Sequence, residues 1–402
     1  MSEEILRILK MVREGKISEE EGATLIDSLK EENQEKGTNY QNFFEDKMDN
    51  LKSVLRNVKD SVSNVLEDVF KGIDLKNIDF SGSFFKGKFK RTTETNKVIN
   101  QSVKNIEIKI PKGNIKIIGT DKDFKLKTNT EIRNDSEEIL ESEINLVPSY
   151  INEFNDTLRI EIPKEKQTRI KVDIELFIPK KIDINVFSLS SDLIIENIDG
   201  EINLSSFNGD FAGKNLNGKL SYITKSGDIQ INHIKGTSEV KTLNGDISIS
   251  VISGTTNIST KSGDLMIEDL KGKIEASTLS GDIEAKKIEG EIKLKSFAGD
   301  VEAYDITSNL ISVETLSGDI EIKEILINEN KGSFKSLSGD IEIKFNKNSG
   351  GSLLLRAYTG EISVDGDLKS IKRERTELEG TFNDGNSQID IETKSGDISV
   401  RI

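Results

Sequence analysis

The chain lacks several residues on which common catalytic and metal sites depend. Its 402 residues include no cysteine, no tryptophan, one histidine and four prolines. Disulfide frameworks, zinc–thiolate sites, iron–sulfur clusters and cysteine nucleophiles are therefore excluded. A serine–histidine–aspartate triad would have to use His233, which follows a predicted strand and which we interpret as a surface or turn residue.

Charge and apolar content exclude further classes of protein. The formal net charge of −15 disfavours binding to nucleic acid phosphates, and an aromatic content of 5% is too low for base stacking. The sequence opens without the apolar core and cleavage site of a signal peptide, and it contains no apolar run of about 18 residues that could span a membrane. We therefore expect a cytoplasmic protein, or one peripheral at the inner face of the membrane.

Residues 1–32 are predicted to form an α-helical hairpin. Apolar residues lie on one face of each short helix, and Gly15 ends the first helix at a C-cap position. Ser18 and Glu21 have the spacing of a capping box that begins the second helix. A hairpin of this size buries little surface, so we expect it to pack on another element or on a second copy.

Residues 33–97 are predicted to be a linker that contains an amphipathic helix over 42–71. Apolar residues from Phe44 to Val69 alternate at spacings of four and three, which is a heptad seam. The seam predicts either a coiled coil, through which the chain forms a homo-oligomer, or a helix lying on a membrane. The nearly balanced charges of this segment favour the coiled coil.

A basic–aromatic patch follows the predicted helix. No acidic residue lies between Asp79 and Glu94. The patch consists of Phe80, Phe84, Phe85, Lys86, Lys88, Phe89, Lys90 and Arg91. Basic residues beside aromatic ones suit an anionic lipid surface. The patch therefore predicts an anionic membrane surface, or an envelope protein, as partner. A flexible linker whose phenylalanines pack on the next domain is the equal alternative.

From residue 200 the sequence is periodic. Glycine recurs every nine residues from Gly200 to Gly299, and an aspartate follows every second one. The most regular unit reads Ser-Gly-Asp-Ile. The aspartates of the series, with its looser continuation, are Asp192, Asp210, Asp228, Asp246, Asp264, Asp282, Asp300, Asp319, Asp340 and Asp397. A sustained period of this kind indicates a repeat architecture.

Between the glycines, apolar residues alternate with polar ones, as at Ile229 and Ile231. Period two predicts short strands with one buried face, and stacked coils can pair each strand with its equivalent about 4.8 Å away. We predict a mainly β protein with a single-stranded parallel β-solenoid over 98–402. Its regular 18-residue coils occupy 192–300, looser coils continue to 402, and 98–190 form degenerate first coils.

Stacked coils would align the aspartates in a column, where neighbouring exposed charges repel by about 0.9 kcal/mol. The favoured interpretation is that each carboxylate accepts backbone N–H groups within its own turn. An interaction stripe and a bound cation are the alternatives. Calcium-binding nonapeptide solenoids have doubled glycines that this chain lacks. We therefore predict structural aspartates, with no metal, cofactor or catalytic residue.

The Ser-Gly-Asp-Ile repeats, together with Leu176-Phe177-Ile178-Pro179-Lys180, resemble the putative-adhesin β-strand-repeat family of bacteria, a domain of unknown function. The hairpin at Ile5–Leu29, with Gly15-Lys16-Ile17-Ser18 at its turn, resembles the short N-terminal helical domain of Lia-type and Yvl-type cell-envelope stress proteins. The resemblance implies a right-handed parallel β-helix and a role at the envelope, in stress or antimicrobial-peptide response.

These observations predict a non-enzymatic β-solenoid scaffold or binding protein associated with the bacterial cell envelope, in a stress response or an adhesin-like role. One alternative is a cytoplasmic protein that assembles through the coiled coil of 42–71. A second alternative is a carbohydrate-active β-helix enzyme, although residues 192–402 contain no tryptophan and few tyrosines for a sugar platform.

Overall fold

The computed structural model describes residues 87–402, apart from 164, 165, 167, 168 and 384 and the side chains of 328–330. The hairpin predicted for 1–32, the helix predicted for 42–71 and the first half of the basic–aromatic patch lie outside the described residues. Within them, 23 strands belong to one hydrogen-bonded sheet. The predicted mainly β, parallel solenoid is confirmed, and it has about nine turns.

The central coils are strands of 16 residues each. They are β9 (Leu193–Asn208), β10 (Phe211–Ser226), β11 (Ile229–Asn244), β12 (Ile247–Ser262), β13 (Leu265–Ser280) and β14 (Ile283–Ala298). Each pairs in parallel with the next, so that Ile229 lies beside Ile247 and Ile247 beside Leu265. This is the predicted pairing of equivalent positions 18 residues apart.

Alternating side chains of each coil fill the core. Ile247, Ile249 and Ile258 are each at most 1% exposed. A coil turns at its Gly-Asp step, at its second glycine and at a residue with positive φ, such as Val251 (φ 54°). The coil can close because apolar positions face inward between these corners while the intervening side chains face solvent.

The next two coils are longer, as the looser repeat predicts. They are β15 (Val301–Ser317) and β16 (Ile320–Ser338). The extra residues leave the ladder at register shifts between Gly290 and Glu291 and between Ser308 and Leu310. The inserted residues are accommodated at these corners. On either side of them, the inward-facing residues of one coil still pair with those of the next.

The first part of the described chain closes one end of the solenoid. Its elements are β1 (Phe89–Val98), β2 (Asn105–Lys112), β3 (Ile115–Thr120), β4 (Lys125–Asn134), α1 (Glu137–Leu146), a 3-10 turn (Val147–Tyr150), β5 (Ile151–Phe154), β6 (Thr157–Glu161), β7 (Ile170–Pro179) and β8 (Asp183–Ser190). Strands β2, β3 and β8 stack in parallel with the coils. Strands β1, β4 and β5 pair antiparallel with their neighbours, so 98–190 is only partly a set of degenerate coils.

Two features of this end differ from the sequence-based expectation. All of strand β1 except Val98 lies in the predicted linker. Between its two ends the strand contains only polar and charged residues, so it lacks the apolar alternation that would have indicated a strand. The acidic stretch after Asp135, which lies within the region predicted as degenerate coils, forms the helix α1. The Ser136 side chain caps α1 by accepting the Ile139 N–H at 3.4 Å. Leu140 and Val147 are buried beneath the helix and its following turn.

The far end does not follow chain order. It contains β17 (Ile341–Phe345), β18 (Gly351–Ala357), β19 (Ile362–Asp365), β20 (Lys369–Arg373), β21 (Glu377–Phe382), β22 (Ser387–Ser395) and β23 (Ile398–Arg401). Strand β22 lies between β16 and β18, and β23 lies between β17 and β19. The antiparallel pair β21–β20 continues from β18, and Phe382 packs 5.1 Å from Phe345.

Candidate functional site

The predicted aspartates form one column along the solenoid, at the corner where consecutive coils turn. On either side of this corner the main-chain ladder is intact, with Gly245 N–H donating to Ser262 O (3.0 Å) and Ile247 N–H to Asp264 O (2.9 Å). The amide between them has no place in that ladder. Asp246 N–H donates instead to the Oδ1 of Asp228, one coil earlier, at 3.0 Å.

The same bond repeats along the whole column. The N–H···Oδ1 distances lie between 2.7 and 3.1 Å and join Asp192, Asp210, Asp228, Asp246, Asp264, Asp282, Asp300, Asp319, Asp340 and Asp397 in that order. Glu361 N–H then donates to Asp397 at 2.8 Å. Each carboxylate therefore accepts a backbone N–H from the turn of the next coil, whereas the interpretation favoured from sequence placed that N–H in its own turn.

This bond explains how a column of like charges is tolerated. A hydrogen bond to an ionised group contributes about 1.5–3 kcal/mol, which exceeds the repulsion of about 0.9 kcal/mol between exposed neighbours. Only one oxygen of each carboxylate is used in this way. The aspartates themselves remain exposed to solvent.

The glycines of the corner are required by the closeness of the stacked coils. A Cβ on Gly245, where φ is 144°, would lie 2.1 Å from the carbonyl oxygen of Gly227. The second glycine column is equally tight: a Cβ on Gly254 would lie 2.0 Å from Gly236 O. No side chain fits at these distances, which is why the nine-residue glycine period is unbroken through the regular coils.

A second column, of buried hydroxyl groups, lies inside the same corner and was not predicted. Thr260 Oγ1 donates to Gly245 O at 3.3 Å, Thr278 Oγ1 to Gly263 O at 3.1 Å and Thr393 Oγ1 to Gly339 O at 2.9 Å. The signal was present in the sequence as a serine or threonine three residues before each glycine of the Gly-Asp series. Such a hydroxyl satisfies a turn carbonyl that the core would otherwise leave unpaired.

The described half of the basic–aromatic patch belongs to strand β1 and its approach. Lys90 forms an ion pair with Glu131 of β4 at 2.8 Å. Arg91 contacts Glu137 at 2.8 Å and Glu141 at 3.0 Å on α1. Their charges are therefore compensated within the β domain, while Lys88 Nζ lies 5.5 Å from the ring of Phe89. Phe80, Phe84, Phe85 and Lys86 lie outside the described residues.

The pKa of the Glu131 carboxyl reflects its ion pair with Lys90. Burial raises its pKa, but the hydrogen bonds from Lys90 and Arg133 outweigh that effect, and the net result is a pKa below the ordinary value. The pKa of the Arg91 guanidinium is raised, because its hydrogen bonds to Glu141 and Glu137 stabilise the charged form. These ion pairs hold α1 and β4 against β1.

His233 occupies a corner of its coil and faces solvent, as the sequence indicated. Its φ is 61°, and the equivalent residues of neighbouring coils, Asn215 and Val251, share that conformation. Its ring Nδ1 contacts the side chain of Asn232. This position therefore requires a residue that adopts positive φ, and it does not require an imidazole.

Two absences apply to the part of the chain that the structure describes. There, no group of three or more histidine, aspartate or glutamate side chains is placed to hold a metal ion. None of the described helices combines the length and apolarity that crossing a membrane requires.

Eighteen-residue coils, a ladder of Asp–amide bonds and two glycine columns define a parallel β-solenoid repeat protein. The family model described as Toastrack DUF4097 matches residues 75–289 and 239–401. The chain therefore belongs to the Toastrack DUF4097 family, which confirms the predicted resemblance to a repeat family of unknown function. A model described as a SHOCT-like domain matches residues 3–34, the stretch in which a helical hairpin is predicted.

Solved structures from two bacteria are similar to this chain. One is described as a putative adhesin from Parabacteroides distasonis, with 12% identity, 78% of this chain and 99% of that chain covered, and a TM-score of 0.32. The other is described as a putative cell adhesion protein from Clostridium sporogenes, with 8% identity, coverage of 77% and 99%, and a TM-score of 0.15. No curated protein matches the chain.

Proposed function

We propose that the chain is a non-enzymatic β-solenoid scaffold or binding protein of the bacterial cell envelope. One observation carries the scaffold role. The aspartate that recurs at the corner of successive coils is used to join those coils, as in the 2.8 Å bond from Asp264 N–H to Asp246 Oδ1. A solenoid built in this way is a rigid support whose outer side chains can vary without loss of the fold.

The association with the envelope is supported by the sequence. Phe80, Phe84, Phe85 and Lys86 remain as residues of the basic–aromatic patch that could meet an anionic lipid surface, since Lys90 and Arg91 are paired with glutamates. The resemblance to envelope stress proteins points the same way. We place the protein at the cytoplasmic face of the membrane, with the solenoid directed away from the lipid.

Co-sedimentation of the full chain with vesicles containing an anionic phospholipid tests this proposal. We expect binding by the wild type and its loss in the variant Phe84→Ser with Phe85→Ser. Tyr358→Ser is the matched control, because it removes a half-exposed aromatic ring from the far end of the solenoid. Equal binding by all three proteins, or by none, would contradict a lipid role for the patch.

The alternative is a cytoplasmic protein that assembles through the heptad seam of 42–71. Sedimentation equilibrium separates the two proposals, because a coiled coil gives a concentration-dependent mass without lipid. Leu51→Asp with Leu55→Asp would then leave a monomer, whereas the phenylalanine variant above would not change the mass. Glycan hydrolysis that is lost in Asp264→Asn would instead overturn the non-enzymatic proposal.

A further inference from the structure

Exposed apolar side chains are concentrated at the end of the solenoid where residue 87 enters. Val98 and Phe154 are 84% and 76% exposed, the highest values among large apolar side chains of the described residues. Each of them directly follows a residue of the ion pair between Lys97 and Glu153, at 3.0 Å. A concentration of exposed apolar side chains is typical of an interaction surface.

Helix α1 presents an apolar stripe at this end. Leu140 and Glu143 face the core, at 0% and 1% exposed, whereas Ile139 and Leu146 on the other side are 47% and 48% exposed. Ile139 and Leu146 lie seven residues apart, with Ser142 between them on the same face. This is the spacing that one helix offers to another in heptad packing.

We propose that this stripe is the docking site for residues 42–71 of the same chain. The seam of that segment has the same heptad spacing, and no other stretch among residues 1–86 carries it for so long. The connection permits the contact. Residues 72–87 can span about 50 Å when extended, while a helix of the length of α1 extends about 15 Å.

Charge supports the same pairing. Helix α1 has no basic residue of its own, and three of its four glutamates already pair with Arg91 or Lys166. The fourth, Glu138, is exposed and directly flanks the stripe. In the heptad of 42–71, the positions that flank the seam include Lys47, Lys52 and Lys59, while Glu45 and Asp68 flank it only at its two ends. Flanking charges of opposite sign select a partner helix and its orientation. A docked segment would also be unavailable to a second copy, so docking would control whether the chain assembles through the seam of 42–71.

The absence of cysteine allows a direct test with spin labels on the full chain. We would introduce Asn57→Cys with Asn145→Cys, the second at an exposed position of α1 that flanks the stripe, label both, and measure the distance distribution without vesicles. We expect a narrow distribution at short distance, because packed helices lie about 8–10 Å apart between their axes. Asn57→Cys with Ser399→Cys, at the far end, gives the reference, for which we expect a broad distribution.

Two comparisons make the result decisive. Adding Ile139→Ser with Leu146→Ser should broaden the distribution, whereas Ile371→Ser, at a 57% exposed site at the opposite end, should not change it. Dilution with unlabelled chain should leave the short distance in place. A distribution as broad as the reference would overturn the proposal. A short distance that disappears on dilution would also overturn it, by assigning the contact to a second copy.

Discussion

At the scale of single residues, the corner of each coil depends on an aspartate and on a glycine. Aspartate supplies an acceptor to an amide that the ladder cannot reach, as Asp264 does for Asp282 N–H at 2.9 Å. Glycine lets the backbone of one coil approach the carbonyl of the previous one. Neither role depends on a ligand, which is why both columns run through the regular coils.

Replacement of Asp264 by alanine should lower the free energy of unfolding by about 1–3 kcal/mol, because the Asp282 amide loses its acceptor. Asp264→Asn should cost less, since the amide oxygen can still accept the bond and a negative charge is removed from the column. Chemical denaturation measures both. Glu342→Ala, at an exposed position with no such bond, is the control and should change the stability by less than about 0.5 kcal/mol. Equal effects of all three would contradict the capping role.

Substitution of two glycines by alanine tests whether the corner has room for a side chain. Gly254→Ala should cost more than about 3 kcal/mol or prevent folding, because the added Cβ would lie 2.0 Å from a backbone oxygen. Gly213→Ala should be far milder, since its nearest neighbours are the movable side-chain atoms Leu216 Cδ1 at 2.9 Å and Phe211 Cζ at 3.0 Å. Thermal unfolding of the two variants tests this order, and a reversed order would show that coil spacing relaxes easily.

At the scale of elements, the insertion of β22 between β16 and β18 is secured by charge. Arg356 of β18 bonds Asp390 of β22 at 2.8 Å, and Lys335 of β16 reaches Asp390 at 3.2 Å and Glu392 at 3.5 Å. The Glu392 side chain is only 7% exposed. A slip of β22 by one residue would move both acids to the opposite face, so this network fixes the register.

Glu392→Gln should therefore destabilise the far end of the solenoid by about 2 kcal/mol, since it leaves two partly buried basic groups, Lys335 and Arg356, with one carboxylate. Hydrogen exchange should show faster opening of β22 and β23, while β10 to β13 keep their protection. Glu289→Gln, which breaks an exposed ion pair with Lys271, should leave exchange unchanged. Uniform acceleration across all strands would contradict a local lock.

At the scale of the whole molecule, the solenoid is a one-dimensional stack in which each coil contacts its neighbours. Removal of residues 246–263 takes out one complete coil and places Asp264 after Gly245. The variant should fold with a slightly lower melting temperature, because one set of neighbour contacts is lost and the rest are restored. Removal of 246–254 alone should prevent folding of the stack, since it puts the two kinds of corner out of phase. Circular dichroism distinguishes the outcomes.

The structural features that repeat along the chain could be predicted from the sequence, and those that occur once could not. The glycine period and the alternation at residues such as Ile229 and Ile231 predict stacked 18-residue coils, and these are present. The direction of each Asp bond could not be predicted, because an aspartate in a turn has acceptable donors both in its own coil and in the next. Strand β1 was missed because a polar strand at a sheet edge has no apolar alternation.

The position of β22 and β23 has a consequence for how the protein is made. A ribosome delivers β18 and β19 before β22 and β23, yet β18 can join the stack only on the outer side of β22. Growth of the solenoid behind the ribosome can therefore proceed coil by coil as far as β17 and must then stop. The segment from β18 to β21 has to wait, without its parallel partner, until residues 387–401 have emerged.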